Sequence, residues 1–140
     1  MLLKLRASLE QLSRIRDFVV DSVTPLGVSK ASIDDLRLAV DEAVTNIITH
    51  GYGEPGDIEL EVETDGVDLI IVLRDQAPSF DPAHAPAANL EPPGERDNPG
   101  GFGVYLIKSM MDEIRYQSTD TGNELTMIKR GVVENAVPPA

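Results

Sequence analysis

The segment 34–52, DDLRLAVDEAVTNIITHGY, constrains the fold more than any other part of the chain. Its apolar residues recur at helical spacing, which predicts an amphipathic helix with one buried face. They are Leu36, Val40, Ala43, Val44 and Ile47, and Ile33 directly before the segment continues the same spacing. We expect Ser32 to cap the start of this helix, and Gly51 and Gly53 to end it.

Two polar residues lie beside the apolar stripe of this predicted helix. Glu42 and Asn46 are four residues apart and therefore lie on the same flank. A carboxylate held in this way can accept a proton, and an amide oxygen can reach a magnesium ion. The alternative is an ordinary solvated helix face, and the helix taken alone favours that alternative.

The composition predicts one soluble globular domain. The chain has 140 residues, of which 41% are hydrophobic and 26% charged. No apolar run is long enough to cross a bilayer, and charges come too early at the N-terminus for a secretory signal. Because there is no cysteine, disulfides and thiolate chemistry are excluded. These features together predict a cytoplasmic protein.

The formal net charge of -12 predicts that neither nucleic acid nor an anionic membrane is the main partner. The same charge would repel a nucleotide at long range. A nucleotide would therefore have to be held by local features, namely backbone N–H groups, a helix N-terminus and a metal ion.

The order of the predicted elements indicates an α+β fold. Helices are expected at 8–26, 34–52 and 100–112, and strands at 2–7, 58–62, 67–74, 114–118 and 125–129. Because hairpin signals such as Asp65-Gly66 join the strands, we expect a two-layer sandwich. Its mixed, mostly antiparallel sheet would be covered on one face by three helices. The predicted domain spans 1–131, with a proline-rich lid or disordered segment at about 76–100 and a flexible tail at 132–140.

Two further features could bind a ligand. Asp75 ends a strand that is expected to be central, where a carboxylate can accept a hydrogen bond from an exocyclic amine. Gly100, Gly101 and Gly103 precede a predicted helix, so their backbone can approach phosphate oxygens. They form neither a P-loop nor a dinucleotide fingerprint. Taken singly, a strand-end aspartate usually begins a turn, and such glycines usually form a hinge or a cap.

Taken together and in order, four segments resemble a known family. EAVTNIITHGY, DQAPSFDP, GGFGVYLIKSMMDEIRY and GNELTMIKR resemble the ATP-binding domain of the GHKL superfamily of gyrase-type, chaperone, histidine kinase and mismatch-repair ATPases. The resemblance is closer to the bacterial anti-sigma factor serine/threonine kinases, and it runs from about the first helix to Lys129. It implies the Bergerat-type ATP-binding fold.

The resemblance implies ATP and Mg²⁺ as cofactors and a role for each matching residue. Glu42 would be the general base, and Asn46 would ligate the magnesium ion that bridges the ATP phosphates. Asp75 would read the adenine amino group, supported by Thr126 nearby. The segment Gly100, Gly101, Phe102 and Gly103 would hold the phosphates. His50 is interpreted as structural, and His84 is left without a role.

The resemblance also implies partners. It predicts a homodimeric kinase and anti-sigma factor that silences a sigma factor and phosphorylates an anti-anti-sigma antagonist. Arg14 and Arg16 form a basic spot on the first helix that could meet a partner, although solvated arginines are more common.

One position departs from the superfamily pattern. Ala77 and Pro78 stand where a glycine usually follows the adenine-reading aspartate, and alanine tolerates positive φ poorly. An alternative is therefore a regulatory module that binds ATP, or no nucleotide, without phosphate transfer. A detached histidine kinase catalytic domain is disfavoured, because nothing supplies a helix pair with a phosphoacceptor histidine.

Overall fold

The computed structural model describes residues 1–48, 56–76, 107–119 and 122–134. Within them a five-stranded sheet is formed by β1 (Leu2–Arg6), β2 (Asp57–Asp65), β3 (Asp68–Asp75), β4 (Glu113–Thr119) and β5 (Gly122–Lys129). The strand order is β1-β2-β3-β5-β4, and each pairing between these strands is antiparallel. The predicted α+β architecture is confirmed, with the most continuously apolar strand, β3, at its centre.

Two helices are described along their length, and a third in part. The helix α1 (Leu12–Val23) lies between single 3₁₀ turns at Leu9–Gln11 and Thr24–Leu26, and α2 spans Lys30–Asn46. Residues 107–110 are helical, so the third helix ends two residues earlier than expected.

The N-cap of α2 is Ser29, so the prediction of Ser32 was wrong. The hydroxyl oxygen of Ser29 accepts a hydrogen bond from the backbone N–H of Ser32 at 3.2 Å. Ser32 thus lies inside the first turn of the helix. Its backbone N–H is one of the donors that have no partner within the helix, and Ser29 accepts from it. Gly51 and Gly53, the expected helix stop, lie outside the described residues.

The core lies between the helices and one face of the sheet. Alternate residues of β3, namely Leu69, Ile71 and Leu73, are fully buried in the same apolar cluster as Leu36 and Val44 of α2. Because side chains alternate along a strand, Asp75 continues this row on the helix-covered face. Asn123 faces the same side, since it pairs with Asp75 across β3 and β5.

The other face of the sheet is held by ion pairs. The Arg74 guanidinium lies 3.0 Å from carboxylate oxygens of Glu59 and Glu61 on β2, and 2.9 Å from Glu124 on β5. One side chain thus links three neighbouring strands at the end of the sheet where Asp75 lies.

The segment predicted as a flexible tail is packed at its beginning. Val133 is 2% exposed, and its N–H donates to the carbonyl of Val67 at 3.0 Å. Glu134 donates in the same way to Leu26, also at 3.0 Å. The prediction of a flexible tail was therefore wrong for 132–134, because the buried side chain of Val133 and these two hydrogen bonds hold the chain after the last strand. Residues 135–140, and the predicted lid beyond Gln76, lie outside the described residues.

Within the described part of the chain, no helix is both long and apolar enough to cross a membrane.

Candidate functional site

The position of α2 relative to the sheet is marked by an ion pair near its start. Asp35 of α2 lies 3.4 Å from the ammonium of Lys129, the last residue of β5. Asn123, which pairs with Asp75, lies near the opposite end of β5. Glu42 and Asn46 lie in the half of α2 that is farther along the chain from Asp35.

Asn46 is buried and incompletely satisfied. Asn46 is 7% exposed, and its side-chain Nδ2 has no hydrogen-bond acceptor among the described residues. Leaving a buried donor without a partner costs about 1–3 kcal/mol, so we expect an acceptor for Nδ2 beyond the described residues. The carboxamide also carries an oxygen, which is the ligand type that Mg²⁺ prefers.

The described residues fit a magnesium ion only if a substrate completes its coordination. They contain no group of three or more His, Cys, Asp or Glu that could hold a metal ion. Mg²⁺ is commonly bound by one or two protein oxygens together with phosphate oxygens and water. A single protein ligand such as Asn46 suits this arrangement, in which phosphate oxygens and water complete the coordination of Mg²⁺.

Glu42 is half-buried, and its environment favours the protonated form. Burial is the main cause that raises the pKa of its carboxyl above the ordinary value, and the negative charge of Asp41 adds to it. A base is most effective when its pKa is close to the working pH, so a raised pKa improves Glu42 as a proton acceptor.

Arg16 has a partner inside the chain. Its Nε donates to Oδ2 of Asp41 at 2.7 Å, which joins α1 to α2 one residue before Glu42. The ion pair compensates the charge of Asp41, and the expectation that Arg16 is solvated or meets a partner protein stays a prediction. Arg14, the other residue of the predicted basic spot, is exposed.

We expect Arg16→Ala to raise the pKa of Glu42 further. Removing the guanidinium leaves the charge of Asp41 uncompensated beside Glu42, and like charges disfavour ionisation. A carbon-13 NMR titration of the Glu42 carboxyl should show its midpoint at higher pH than in the wild type. Arg115→Ala, which removes an exposed cation from β4, is the control that should leave the midpoint in place. Equal midpoints in wild type and Arg16→Ala would contradict the assignment.

Asp75 is held by a buried residue that the sequence analysis missed. Nδ2 of Asn123 donates to Oδ1 of Asp75 at 2.9 Å, and Asn123 is 7% exposed. Oδ1 of Asn123 accepts from the hydroxyls of Tyr116 at 2.7 Å and of Ser118 at 3.1 Å. One signal in the sequence could have distinguished the two candidates on β5. Side chains alternate along a strand, so Asn123 and Thr126, three positions apart, must lie on opposite faces of the sheet.

Thr126 was predicted to lie near Asp75 and support it, but the structure does not bring the two side chains together. Thr126 pairs with Val72, and Asp75 pairs with Asn123, three positions along β5. Because successive side chains of a strand point to opposite faces, Thr126 lies on the face of the sheet away from the helices. The polar partner of Asp75 on β5 is Asn123.

A cavity of about 660 Å³ opens at this end of the sheet. Asp75, Gly122 and Asn123 line it, with Ile58 and the basic side chain of Arg74 among the other lining residues. This volume suits a small-molecule ligand. Among the described residues, Glu42 and Asn46 do not line it, whereas Glu59, Arg74 and Glu124 on the face away from the helices do. Ala77, Gly100, Gly101, Phe102 and Gly103 lie outside the described residues.

Comparison with known proteins identifies the class. Residues 5–129 match the histidine kinase-like ATPase domain family. Among solved structures, the RsbU and RsbW domains of a Mycobacterium tuberculosis protein align with a TM-score of 0.68 at 16% identity, over all of this chain and 34% of that one. The mycobacterial sensor histidine kinase MprB aligns with a TM-score of 0.55 at 15% identity, over 95% and 99%. At these identities the structures show the fold alone.

Curated relatives identify the branch. The chain is 36% identical over 135 residues to serine-protein kinase RsbW of Staphylococcus epidermidis, which covers 91% of this chain and 84% of that protein. It is 32% identical to RsbW of Bacillus licheniformis, over 91% and 82%. It is 31% identical over 113 residues to the anti-sigma F factor of Clostridium novyi, over 77% of each. The chain belongs to the anti-sigma factor kinases of the histidine kinase-like ATPase family.

Proposed function

We propose that this protein is an ATP-dependent serine/threonine kinase and anti-sigma factor of a partner-switching module. It binds a sigma factor and so silences it. It also phosphorylates an anti-anti-sigma antagonist, which competes with the sigma factor for binding to this protein. The relatives named serine-protein kinase and anti-sigma F factor support the proposal. The observation that supports it is the ion pair of Asp35 with Lys129, which leaves Glu42 and Asn46 in the half of α2 away from Lys129, while Asp75 pairs with Asn123 near the opposite end of β5.

In this proposal Glu42 acts on the acceptor hydroxyl. A serine or threonine hydroxyl is a weak nucleophile unless its proton is removed as the new bond forms. A Glu42 carboxylate oxygen takes that proton, and the raised pKa of Glu42 makes it a better acceptor. The half-buried position keeps the carboxylate from being fully solvated.

The other residues bind and orient the nucleotide. Asp75 accepts a hydrogen bond from the adenine amino group, and Asn46 offers its amide oxygen to Mg²⁺. When bound, the ion supplies charge neutralisation to the phosphates, which is the main requirement of phosphoryl transfer. We assign the phosphates to the backbone around Gly100, Gly101, Phe102 and Gly103, with Ala77 near the base, on the family resemblance. The same resemblance leads us to propose a cytoplasmic homodimer.

A phosphate-transfer assay tests the proposal. The chain is incubated with Mg²⁺, ATP labelled at the γ-phosphate, and a small anti-anti-sigma protein encoded by a neighbouring gene. We expect label on a serine or threonine of the antagonist, and no transfer when EDTA removes the metal. An antagonist that binds the chain but stays unlabelled in the presence of bound ATP would contradict the kinase and favour a binding module.

A further inference from the structure

Asn123 lies at the start of β5 with its carboxamide enclosed by polar partners. Its two side-chain atoms make three described hydrogen bonds, one to Asp75 and two from the hydroxyls of Tyr116 and Ser118. The residue is 7% exposed, although asparagine is usually found at the surface. A buried amide with this many partners is held in one orientation.

The Asp75 carboxylate determines which end of the amide faces it, because a carboxylate accepts hydrogen bonds whereas a hydroxyl can either donate or accept. The donor group Nδ2 of Asn123 is therefore directed at Oδ1 of Asp75. Its Oδ1 then accepts from the hydroxyls of Tyr116 and Ser118. A carboxylate that receives an N–H at one oxygen still has other lone pairs that can accept, so Asp75 is presented as a hydrogen-bond acceptor.

The backbone fixes the distance between the two residues. Asp75 and Asn123 are direct partners in the antiparallel pairing of β3 and β5. The preceding residue, Gly122, has no side chain to separate the strands, and a Cβ built there would meet the backbone carbonyl of Asp75. The Asp75–Asn123 contact is therefore part of the sheet and does not depend on a loop.

We propose that Asn123 is a positioning residue for base selection. Anchored by Tyr116 and Ser118, it holds the Asp75 carboxylate as an acceptor, so that the proposed nucleotide site takes purine nucleotides with an amino group at position 6. Nucleotides with a carbonyl oxygen at that position present an acceptor to an acceptor and are rejected. The inference rests on the proposed function, in which Asp75 reads the base.

Calorimetric titration of the full chain with ADP and with IDP, both with Mg²⁺, tests the inference. A hydrogen bond to a charged group corresponds to roughly 10- to 100-fold in affinity, so we expect the wild type to prefer ADP by about that factor. Asn123→Ala should reduce the preference about tenfold, mainly by weakening ADP. Tyr116→Phe, which removes only one anchoring hydroxyl, should reduce it by a smaller factor and covers the case that Asn123→Ala does not fold.

The matched control is Gln117→Ala. Gln117 lies on β4 between Tyr116 and Ser118, is exposed, and pairs with Glu124 on the face away from the helices. Its removal should leave the ratio of the two Kd values unchanged.

The possible outcomes separate the two claims. Variants with the wild-type preference would overturn the role of Asn123 and leave the nucleotide site standing. Equal weakening of ADP and IDP would also overturn it, because a purely structural residue affects both ligands alike. A wild type that binds neither nucleotide would overturn the proposed function, and the inference with it.

Discussion

Replacing Glu42 by glutamine is expected to slow phosphate transfer to the antagonist by about 10²- to 10⁴-fold, the usual contribution of a general base. Nucleotide should still bind with nearly wild-type affinity, because the amide keeps the size of the carboxyl but cannot take the proton. Glu42→Ala should abolish labelling in the same way. Initial rates with labelled ATP give the first quantity, and calorimetry gives the second.

The stability of Glu42→Gln provides an independent check. The pKa of Glu42 is raised in the fold, so the unfolded chain loses this proton first as the pH rises. The ionised carboxylate therefore destabilises the fold above its folded-state pKa, and this effect disappears below the ordinary range of a glutamate. Glu42→Gln should unfold at a higher temperature than the wild type at neutral pH, with the difference vanishing in acid.

The matched control for Glu42→Gln is Glu10→Gln. Glu10 is exposed in the 3₁₀ turn before α1, so the same change of charge there should alter neither labelling nor the pH dependence of unfolding. Labelling that survives Glu42→Gln and Glu42→Ala would refute the assignment of Glu42 as the base.

The second large effect is expected for Gly122→Ala. Gly122 has φ +149°, and a Cβ would stand 2.1 Å from the backbone oxygen of Asp75 and 3.2 Å from Cα of Gln76. Because these are backbone atoms, no side-chain rotation relieves the clash, and the start of β5 must move away from β3. We expect a loss of about 3 kcal/mol in the free energy of unfolding, measured in urea. The contact between Asp75 and Asn123 should be lost as well.

Gly131→Ala is the matched control for Gly122→Ala. Gly131 also has positive φ, +70°, but nothing lies within 4 Å of a Cβ built there. The substitution adds only the strain of a left-handed alanine, about 1 kcal/mol. If both alanine variants lose the same free energy, the close approach of β3 and β5 at Asp75 is not the feature that requires Gly122.

Local patterns in the sequence predicted most of the fold. Ile58, Leu60 and Val62 alternate with acidic residues, and this period of two gave the buried face of β2 correctly. The turn at Asp65-Gly66 joined β2 to β3 as expected. Such predictions succeed because the periodicity of a strand or helix is contained in a few neighbouring residues.

Predictions that depend on non-local contacts failed. Thr126 was expected near Asp75, but the pairing of β5 with β3 brings Asn123 there, and one sequence does not show that register. The ion pair between Arg16 and Asp41 was not predicted, because it joins two residues that are 25 positions apart and lie on different helices. Val133 was assigned to a loose tail, but its side chain packs in the core and its N–H donates to Val67 in the β2–β3 turn, which are contacts between residues far apart in the chain.

In the proposed function, α2 and the Asp75 end of the sheet form one site for a metal and a nucleotide. Calorimetric titration of ATP with Mg²⁺ and with EDTA, on wild type, Asn46→Ala and Asp75→Ala, tests this arrangement. We predict saturable binding that Mg²⁺ strengthens in the wild type, a much smaller effect of Mg²⁺ in Asn46→Ala, and weaker binding under both conditions in Asp75→Ala. No binding by the wild type, or an undiminished effect of Mg²⁺ in Asn46→Ala, would contradict it.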